Sequence, residues 1–203
     1  MSTLLQPERK RPTIKSTLGS FLFDVLETAV FSLAILLIVY IFIVQPHQVD
    51  GHSMDPTLQD REYLLTNKLS YRFGLPQKGD IVVFHAPSVA CPSGNCDFIK
   101  RVIATPGDTL SYQNDLFYVN GQELPEDYLP SNLEFSGESQ FLGGRTITLA
   151  DDEYFVAGDN RPHSSDSRLW GPIKRKSIVG KTFFSYWPLS TFGIIKSGPE
   201  ATN

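Results

Sequence analysis

Hydrophobic and polar positions divide this chain into three unequal parts. Residues 1–19 are polar and carry Arg9, Lys10, Arg11 and Lys15 against one acid, Glu8, with Pro7 and Pro12 between them. That composition reads as a short disordered tail. From Thr28 to Val44 the chain holds no charge and runs Phe31, Leu33, Ile35, Leu36, Leu37, Ile38, Val39, Tyr40, Ile41, Phe42, Ile43. Extended back to Phe21, the segment reaches the roughly 20 residues that a ~30 Å hydrocarbon core requires. Asp24 and Glu27 then fall in the first turns, near the headgroups. A buried core helix and a cleaved signal peptide are the rival readings. The basic flank and the following Pro46 fit insertion, and Gln45-Pro46-His47-Gln48-Val49 offers no small-residue pair for cleavage. The segment 20–44 is therefore read as a transmembrane anchor, with 1–19 as its cytoplasmic basic tail by the positive-inside rule and 45–203 on the far side.

Beyond residue 45 the pattern changes to short apolar runs stopped by Gly, Pro, Asn and Asp. Ile81–Phe84 follows Gly79-Asp80 and ends before Pro87, and Phe98–Ala104 ends at Pro106-Gly107-Asp108. Leu116–Val119 runs into Asn120-Gly121, a tight-turn pair. Thr146–Leu149, Tyr154–Ala157 and Ile178–Tyr186 have the same character. Few stretches sustain a helical period for three turns, so the expectation is a mainly β domain, a folded sheet or barrel, behind one helix. Residues 125–145 read as a loop-rich insertion. The aromatic run Phe183 to Leu189 is read as core strand in preference to a lipid-facing patch.

Composition narrows the function classes. A chain of 203 residues with 41% hydrophobic residues can bury one sizeable core. A net charge of −4, without zinc-finger spacing or basic-aromatic interleaving, argues against nucleic acid as a partner. Cys91 and Cys96, in the outer compartment, are read as a short-loop disulfide, with two free thiols as the alternative. Two thiols without a nearby histidine do not complete a zinc site, so neither a metal nor an organic cofactor is expected.

Three polar-dense segments supply candidate chemistry. Ser53 stands about nine residues after the span, in Gly51-His52-Ser53-Met54-Asp55-Pro56. Alone, it reads as a turn former. Lys100, in Phe98-Ile99-Lys100-Arg101-Val102-Ile103, shares a strand face with Phe98 and Val102, whereas Arg101 shares the face of Ile99 and Ile103. One of the two bases must then point inward unless the strand is an edge. A buried lysine tends to lose its proton, and a neutral amine is a base. In the third segment, Gly158 to Arg168, Asp159 and Asp166 are natural partners for Arg101, Arg161 and Arg168, and Ser164 or Ser165 could be held at a lysine amine. His47, His52, His85 and His163 read as exposed or linker histidines. His163, beside Ser164 and Asp166, keeps a Ser-His-Asp arrangement open.

Together these segments resemble the type I signal peptidase family. The resemblance runs through Ser53-Met54-x-Pro56-Thr57-Leu58, Gly79-Asp80-Ile81-Val82, Ile99-Lys100-Arg101-Val102-Ile103-x-x-Pro106-Gly107-Asp108 and Gly158-Asp159-Asn160-Arg161-x-x-Ser164-x-Asp166-Ser167-Arg168-x-Trp170-Gly171. It implies a membrane-bound serine endopeptidase that removes signal peptides from exported preproteins after small residues, Ala-x-Ala, through an acyl-enzyme. Ser53 would be the nucleophile, Lys100 the general base and Ser164 the hydroxyl that orients the lysine. Asp159, Arg101, Asp166 and Arg168 would be supports. Met54 would lie beside the substrate groove, with Ile81, Val83 and Phe84 as wall residues. The implied partners are secretory preproteins, the lipid bilayer and nearby export machinery.

Two departures from the family pattern stand out. Gly51 replaces a serine that donates to the oxyanion in some relatives, which leaves backbone N–H groups, foremost that of Ser53, for that task. Pro162-His163 replaces a more usual Asp-Asn pair. A Ser/Lys protease of narrower duty and a non-catalytic β-domain that binds export partners are the competing readings. The first lacks the DNA-binding module of the repressor type, and the second gives no reason to keep Ser53, Lys100 and Ser164 together. A plasma membrane, a thylakoid and an organellar inner membrane are all compatible with the sequence.

Overall fold

A computed structural model describes residues 14–129 and 139–198. Most of the basic tail, the centre of the 125–145 insertion and the last five residues lie outside these. The chain divides into two units, with the break between Ile41 and Phe42. The first is a single helix, α1 (Ile14–Phe42), so helix begins within the stretch expected to be tail. Its segment Gly19–Tyr40 is long and apolar enough to cross a membrane, and its large side chains are exposed on every side. An apolar surface all round, with no polar stripe, is what a lipid-facing helix needs and a surface helix of a soluble domain lacks.

The second unit is built from antiparallel strands. They are β1 (Val44–Gln48), β2 (Tyr63–Asn67), β3 (Ile81–His85), β4 (Asp97–Ala104), β5 (Thr109–Gln113), β6 (Leu116–Val119), β7 (Gln122–Glu123), β8 (Ile147–Thr148), β9 (Glu153–Ala157), β10 (Ile173–Lys174), β11 (Ile178–Trp187) and β12 (Gly193–Ile194). Two one-turn helices, α2 (Ser70–Phe73) and α3 (Ser167–Trp170), punctuate them. The larger sheet has the order β1-β2-β11-β3-β4-β9-β10, with β12 on β11, and the smaller has β7-β6-β5-β8. The path of the larger sheet runs from β1 to β10 without closing, so the folded-sheet form of the expectation describes it.

Local chemistry explains most of these elements. Asn120 and Gly121 both take positive φ, 54° and 80°, and join β6 to β7 as the Asn-Gly pair predicts. Asn114 and Asp115 do the same between β5 and β6. Pro46, read as the stop after the span, lies inside β1. It is tolerated there because β1 is an edge strand and a missing N–H costs the sheet nothing on its open side.

Register positions the interior. β4 lies between β3 and β9, pairing Val82 with Lys100 and Ile81 with Arg101. Lys100 and Arg101 are both buried, 4% and 1% exposed, because the Ser53 loop covers β4 on the lysine's face while Asp159 and Tyr128 cover Arg101. The alternation argument, which sent one of them outward, is corrected by this cover. Three apolar clusters flank the sheet. One joins Ile103, Leu110, Phe117 and Phe155 to Leu142 of the insertion. A second gathers Val82, Phe84, Val102 and Val156, and a third holds Val49, Met54, Leu58, Leu64 and Ile81.

The aromatic run on β11 is split. Thr182 and Ser185 are buried, but Trp187, Leu189, Phe192 and Ile194 stand 53–81% exposed where β11 turns into β12. Within the run Phe183, Phe184 and Tyr186 are half-buried, so the core-strand reading holds only in part for the centre of β11 and fails at its end. There the sheet partner β3 has already stopped, because its register with β11 ends at Val82 opposite Lys181.

Candidate active site

The loop after β1 carries Ser53. Its base is closed by Val49 N–H to Glu62 O (2.8 Å) and Arg61 N–H to Val49 O (2.9 Å). Gly51 takes φ +92°, a conformation that a side chain disfavours, and donates its N–H to Asp60 Oδ1 at 2.7 Å. Met54 and Leu58, each 1% exposed, anchor the loop in the core, and Leu58 N–H closes a turn on Met54 O at 2.9 Å. These contacts hold the serine between the buried Met54 and the start of the loop.

Lys100 meets it from β4. Lys100 Nζ lies 2.8 Å from Ser53 Oγ and 3.0 Å from Ile99 O, with the Phe98 ring centroid at 5.3 Å. Burial lowers its pKa to about 8, against the pull of the carboxylates of Asp166 and Asp159. Desolvation disfavours the ammonium more than two non-contacting carboxylates restore it. The pair can therefore present a neutral amine to a hydroxyl close to neutral pH.

The third segment approaches because β9 runs antiparallel to β4. Ala157 pairs with Arg101, so the next residue, Gly158, falls alongside Lys100. A Cβ at Gly158 would lie 2.3 Å from Ser164 Oγ and 2.4 Å from Ser53 O, so only glycine fits where these strands meet. Asn160 clamps the serine loop from the same side, its N–H on Ser53 O (3.1 Å) and its Nδ2 on His52 O (2.9 Å). Asn160 stands in the third motif, yet nothing in the sequence marks it as a clamp, because its two partners are backbone carbonyls more than a hundred residues away.

Ser164 Oγ is buried and makes no hydrogen bond among the described residues. Ser53 and Lys100 are thus brought into contact, and Ser164 Oγ crowds Gly158 beside the Ser53 carbonyl without bonding the lysine.

Around this centre the charges are paired. Arg101 makes a two-pronged ion pair with Asp159 (2.9 and 2.7 Å), donates to Gly79 O and stacks 3.9 Å from the Tyr128 ring. Arg168 pairs likewise with Asp166 (2.9 and 2.8 Å), and Asp166 also accepts from Gly158 N–H at 3.0 Å. Arg161 takes neither aspartate. Its guanidinium binds Glu126, from the segment read as a loop-rich insertion, and lies over Phe117. That partner is 35 residues away in sequence and carries no motif signal.

A cavity of about 480 Å³ opens beside Ser53 and Lys100, walled by Val49, Met54, Phe98 and Ile99. Ile81, Val83 and Phe84 are at most 1% exposed and do not line it, Phe84 packing into the second apolar cluster and Ile81 into the third. Their expected place in the wall is corrected to the core behind it. Cys91 and Cys96 are joined in a disulfide, and Cys96 lies at the rim of this cavity.

The histidines separate. His163 is exposed, its backbone N–H donating to Asn160 O at 3.0 Å and its imidazole bonded to nothing among the described residues. His52 and His85 are exposed and meet Asp55 and Asp97. His47 departs from the linker reading, being largely buried in β1 with Nδ1 3.0 Å from Thr66 Oγ1. Its burial pushes its pKa down, opposed first by Asp97.

Comparison with known proteins adds a second line of observation. Residues 22–187 match the family described as "Signal peptidase, peptidase S26". Over 169 residues the chain is 41% identical to signal peptidase IB of Staphylococcus aureus strain Mu50, covering 78% of this chain and 85% of that one. It is 36% identical to a probable signal peptidase I-1 of Synechocystis, with 82% and 83% covered. A crystal structure of a signal peptidase I from Enterococcus faecalis aligns with 53% of this chain and 97% of its own, at 33% identity and a TM-score of 0.43.

Proposed function

Because this chain belongs to the signal peptidase family, peptidase S26, we propose that it removes signal peptides from preproteins with Ser53 as nucleophile and Lys100 as general base. It is a peptidase whose substrates are proteins bearing signal peptides, and it is a single-pass membrane protein. The observation that carries the mechanistic reading is the 2.8 Å approach of Lys100 Nζ to Ser53 Oγ, with burial lowering the lysine's pKa to about 8.

Neutral Lys100 takes the Ser53 proton as Oγ attacks the scissile carbonyl. Lys100 then passes that proton to the leaving amine, and the freed amine activates the water that hydrolyses the acyl-enzyme. The oxyanion falls to the Ser53 amide, which has no partner among the described residues, whereas the Gly51 amide is already committed to Asp60. Ser164 orients the lysine once substrate fills the cavity. The apolar wall around Met54 accepts small side chains, the Ala-x-Ala preference of the resemblance.

The basic tail stays cytoplasmic and residues 45–203 work on the far side of a plasma or thylakoid-type membrane, near the export machinery. Trp187, Leu189, Phe192 and Ile194 present an apolar surface suited to the bilayer.

The test is cleavage of a preprotein carrying an Ala-x-Ala site by the detergent-purified chain. Ser53→Ala and Lys100→Met are each expected to lower kcat/KM by about 10³-fold or more with the fold intact. Cleavage that survives Lys100→Met would sink the lysine-base mechanism. No cleavage by the folded native chain would favour a binding module instead.

A further inference from the structure

A second cavity of the β domain, about 360 Å³ and separate in its lining from the Ser53 cavity, is lined by Gln45, Lys68, Tyr71, Arg72, His85 and Arg175. No carboxylate lines it, although the chain as a whole carries a net charge of −4. The contrast with the interior arginines is direct. Arg101, Arg161 and Arg168 each meet a carboxylate, whereas Arg72 and Arg175 meet none among the described residues. The Arg175 guanidinium is held in place, with Nη2 donating to Tyr71 O and its plane over the Tyr71 ring at 5.4 Å. Its Nε and Nη1 keep their hydrogen-bonding capacity. Two acids touch lining residues without lining the cavity: Asp97, met by His85 at 2.7 Å, and Asp80, which accepts from the Tyr71 hydroxyl at 2.9 Å.

A fixed guanidinium with spare donors, flanked by further cations in a concave site, is the arrangement that binds phosphate oxygens. Covalent connection supplies the location. Lys68 N–H is bonded to Ile43 O at 2.9 Å, and Gln45 lies three residues past the end of α1. Gln45 follows Tyr40, the last residue of the candidate span, by five residues, so the chain holds this lining residue within about 18 Å of it.

We propose that this cavity of the β domain binds the phosphate of an anionic lipid headgroup. The inference rests on the membrane-anchored reading above but not on the Ser53–Lys100 chemistry. A bound headgroup would fix the domain's first strand, β1, against the interface, and Arg72 and Arg175 would carry the charge recognition.

The full-length chain in neutral detergent is offered phosphatidylglycerol and phosphatidylcholine in equal amounts, and the retained lipid is measured by native mass spectrometry. Phosphatidylglycerol is expected to be retained in preference. Arg72→Gln, an exposed position with no side-chain partner to lose, should lower that retention about fivefold, and Arg72→Gln with Arg175→Gln should lower it further. Equal retention of the two lipids, or unchanged retention in the double variant, overturns the proposal. Displacement of the lipid by equimolar glycerol phosphate overturns the lipid source in favour of a soluble phosphate, and displacement by a hexa-aspartate peptide overturns it in favour of an acidic peptide. Signal-peptide cleavage is measured on the same samples. Preferential phosphatidylglycerol retention without any cleavage supports the lipid site while sinking the proteolytic reading.

Discussion

Lys100 and Arg101 are consecutive residues on one strand, both cationic in water and both buried, yet their surroundings assign them opposite tasks. Arg101 is met by both oxygens of Asp159, by a carbonyl and by an aromatic face. Lys100 is met by a hydroxyl, a carbonyl and a ring, with its carboxylates further off. A guanidinium does not give up its proton in a protein, so its burial must be matched by a paired anion. An ammonium can discharge itself, so its burial can be left unmatched. The alternation of a strand thus sends a permanent charge to one face as structure and a removable one to the other as chemistry.

Breaking the paired side of this comparison has the largest expected effect. Arg101→Met leaves Asp159 buried and unpaired and is expected to destabilise the fold by about 3–5 kcal/mol, read from urea unfolding monitored by circular dichroism. Arg101→Met with Asp159→Leu should recover much of that loss, since no lone charge remains. A double variant as unstable as the single would show that packing on Tyr128, and not charge pairing, decides.

The next effect falls on the contact between the two regions. Gly158→Ala places a methyl against Ser164 Oγ and Ser53 O, and with Ser53 as the proposed nucleophile is expected to lower kcat about 10²-fold, because a displacement of about 1 Å has a cost of that order. Steady-state kinetics on a model preprotein checks it, with activity near native excluding the close approach.

The unpaired side is sharpened by pH. With the lysine pKa lowered to about 8 and the neutral amine as the reactive form, kcat/KM should rise about tenfold from pH 7 and level off above pH 8. The sign for stability runs the same way. The unfolded lysine titrates near 10.5, so between about 8 and 10.5 the unfolded chain binds more protons and this group's contribution to stability rises with pH. Below about 8 both states are protonated, and the cost of the buried ammonium is present in full. Lys100→Met should therefore gain melting temperature at pH 7, by about 5 °C, and lose that gain toward pH 10. A gain independent of pH would mean that burial does not shift the lysine's proton equilibrium.

The smallest effect separates role from packing at Ser164. Its hydroxyl is buried without a partner, so Ser164→Ala should leave stability unchanged or slightly raised. Activity should fall severalfold with the pH profile moved, if the hydroxyl engages Lys100 when substrate is bound. Stability and activity both unchanged would remove Ser164 from the site.

Several of these relations were legible before any coordinates. The strands Ile81–His85, Leu116–Val119 and Glu153–Ala157 follow from apolar runs bounded by turn formers, which are signals that adjacent residues carry themselves. The strands Thr109–Gln113 and Tyr63–Asn67 were not legible, because each mixes polar and apolar residues without a run bounded by turn formers, and pairing with β6 and β11 makes them strands. Ser53, Lys100 and Ser164 were reached through motif resemblance, while the Asn160 clamp and the Arg161–Glu126 pair depend on partners that no local pattern identifies. Ile81, Val83 and Phe84 were assigned to the cavity wall on apolarity, which does not distinguish a wall from the core behind it.

By itself the sequence determined the apolar helix, the β class of the remainder and the identity of the groups that can do chemistry, since each rests on residue type and spacing within about a dozen positions. Only the tertiary structure decided which of those groups meet. Ser53 and Lys100 are 47 residues apart, and their contact exists because a loop anchored by Met54 and Leu58 closes onto a strand covered on both faces. The same cover moves the lysine's proton equilibrium, because a pKa depends on the solvent that the whole fold excludes and not on the residues next along the chain.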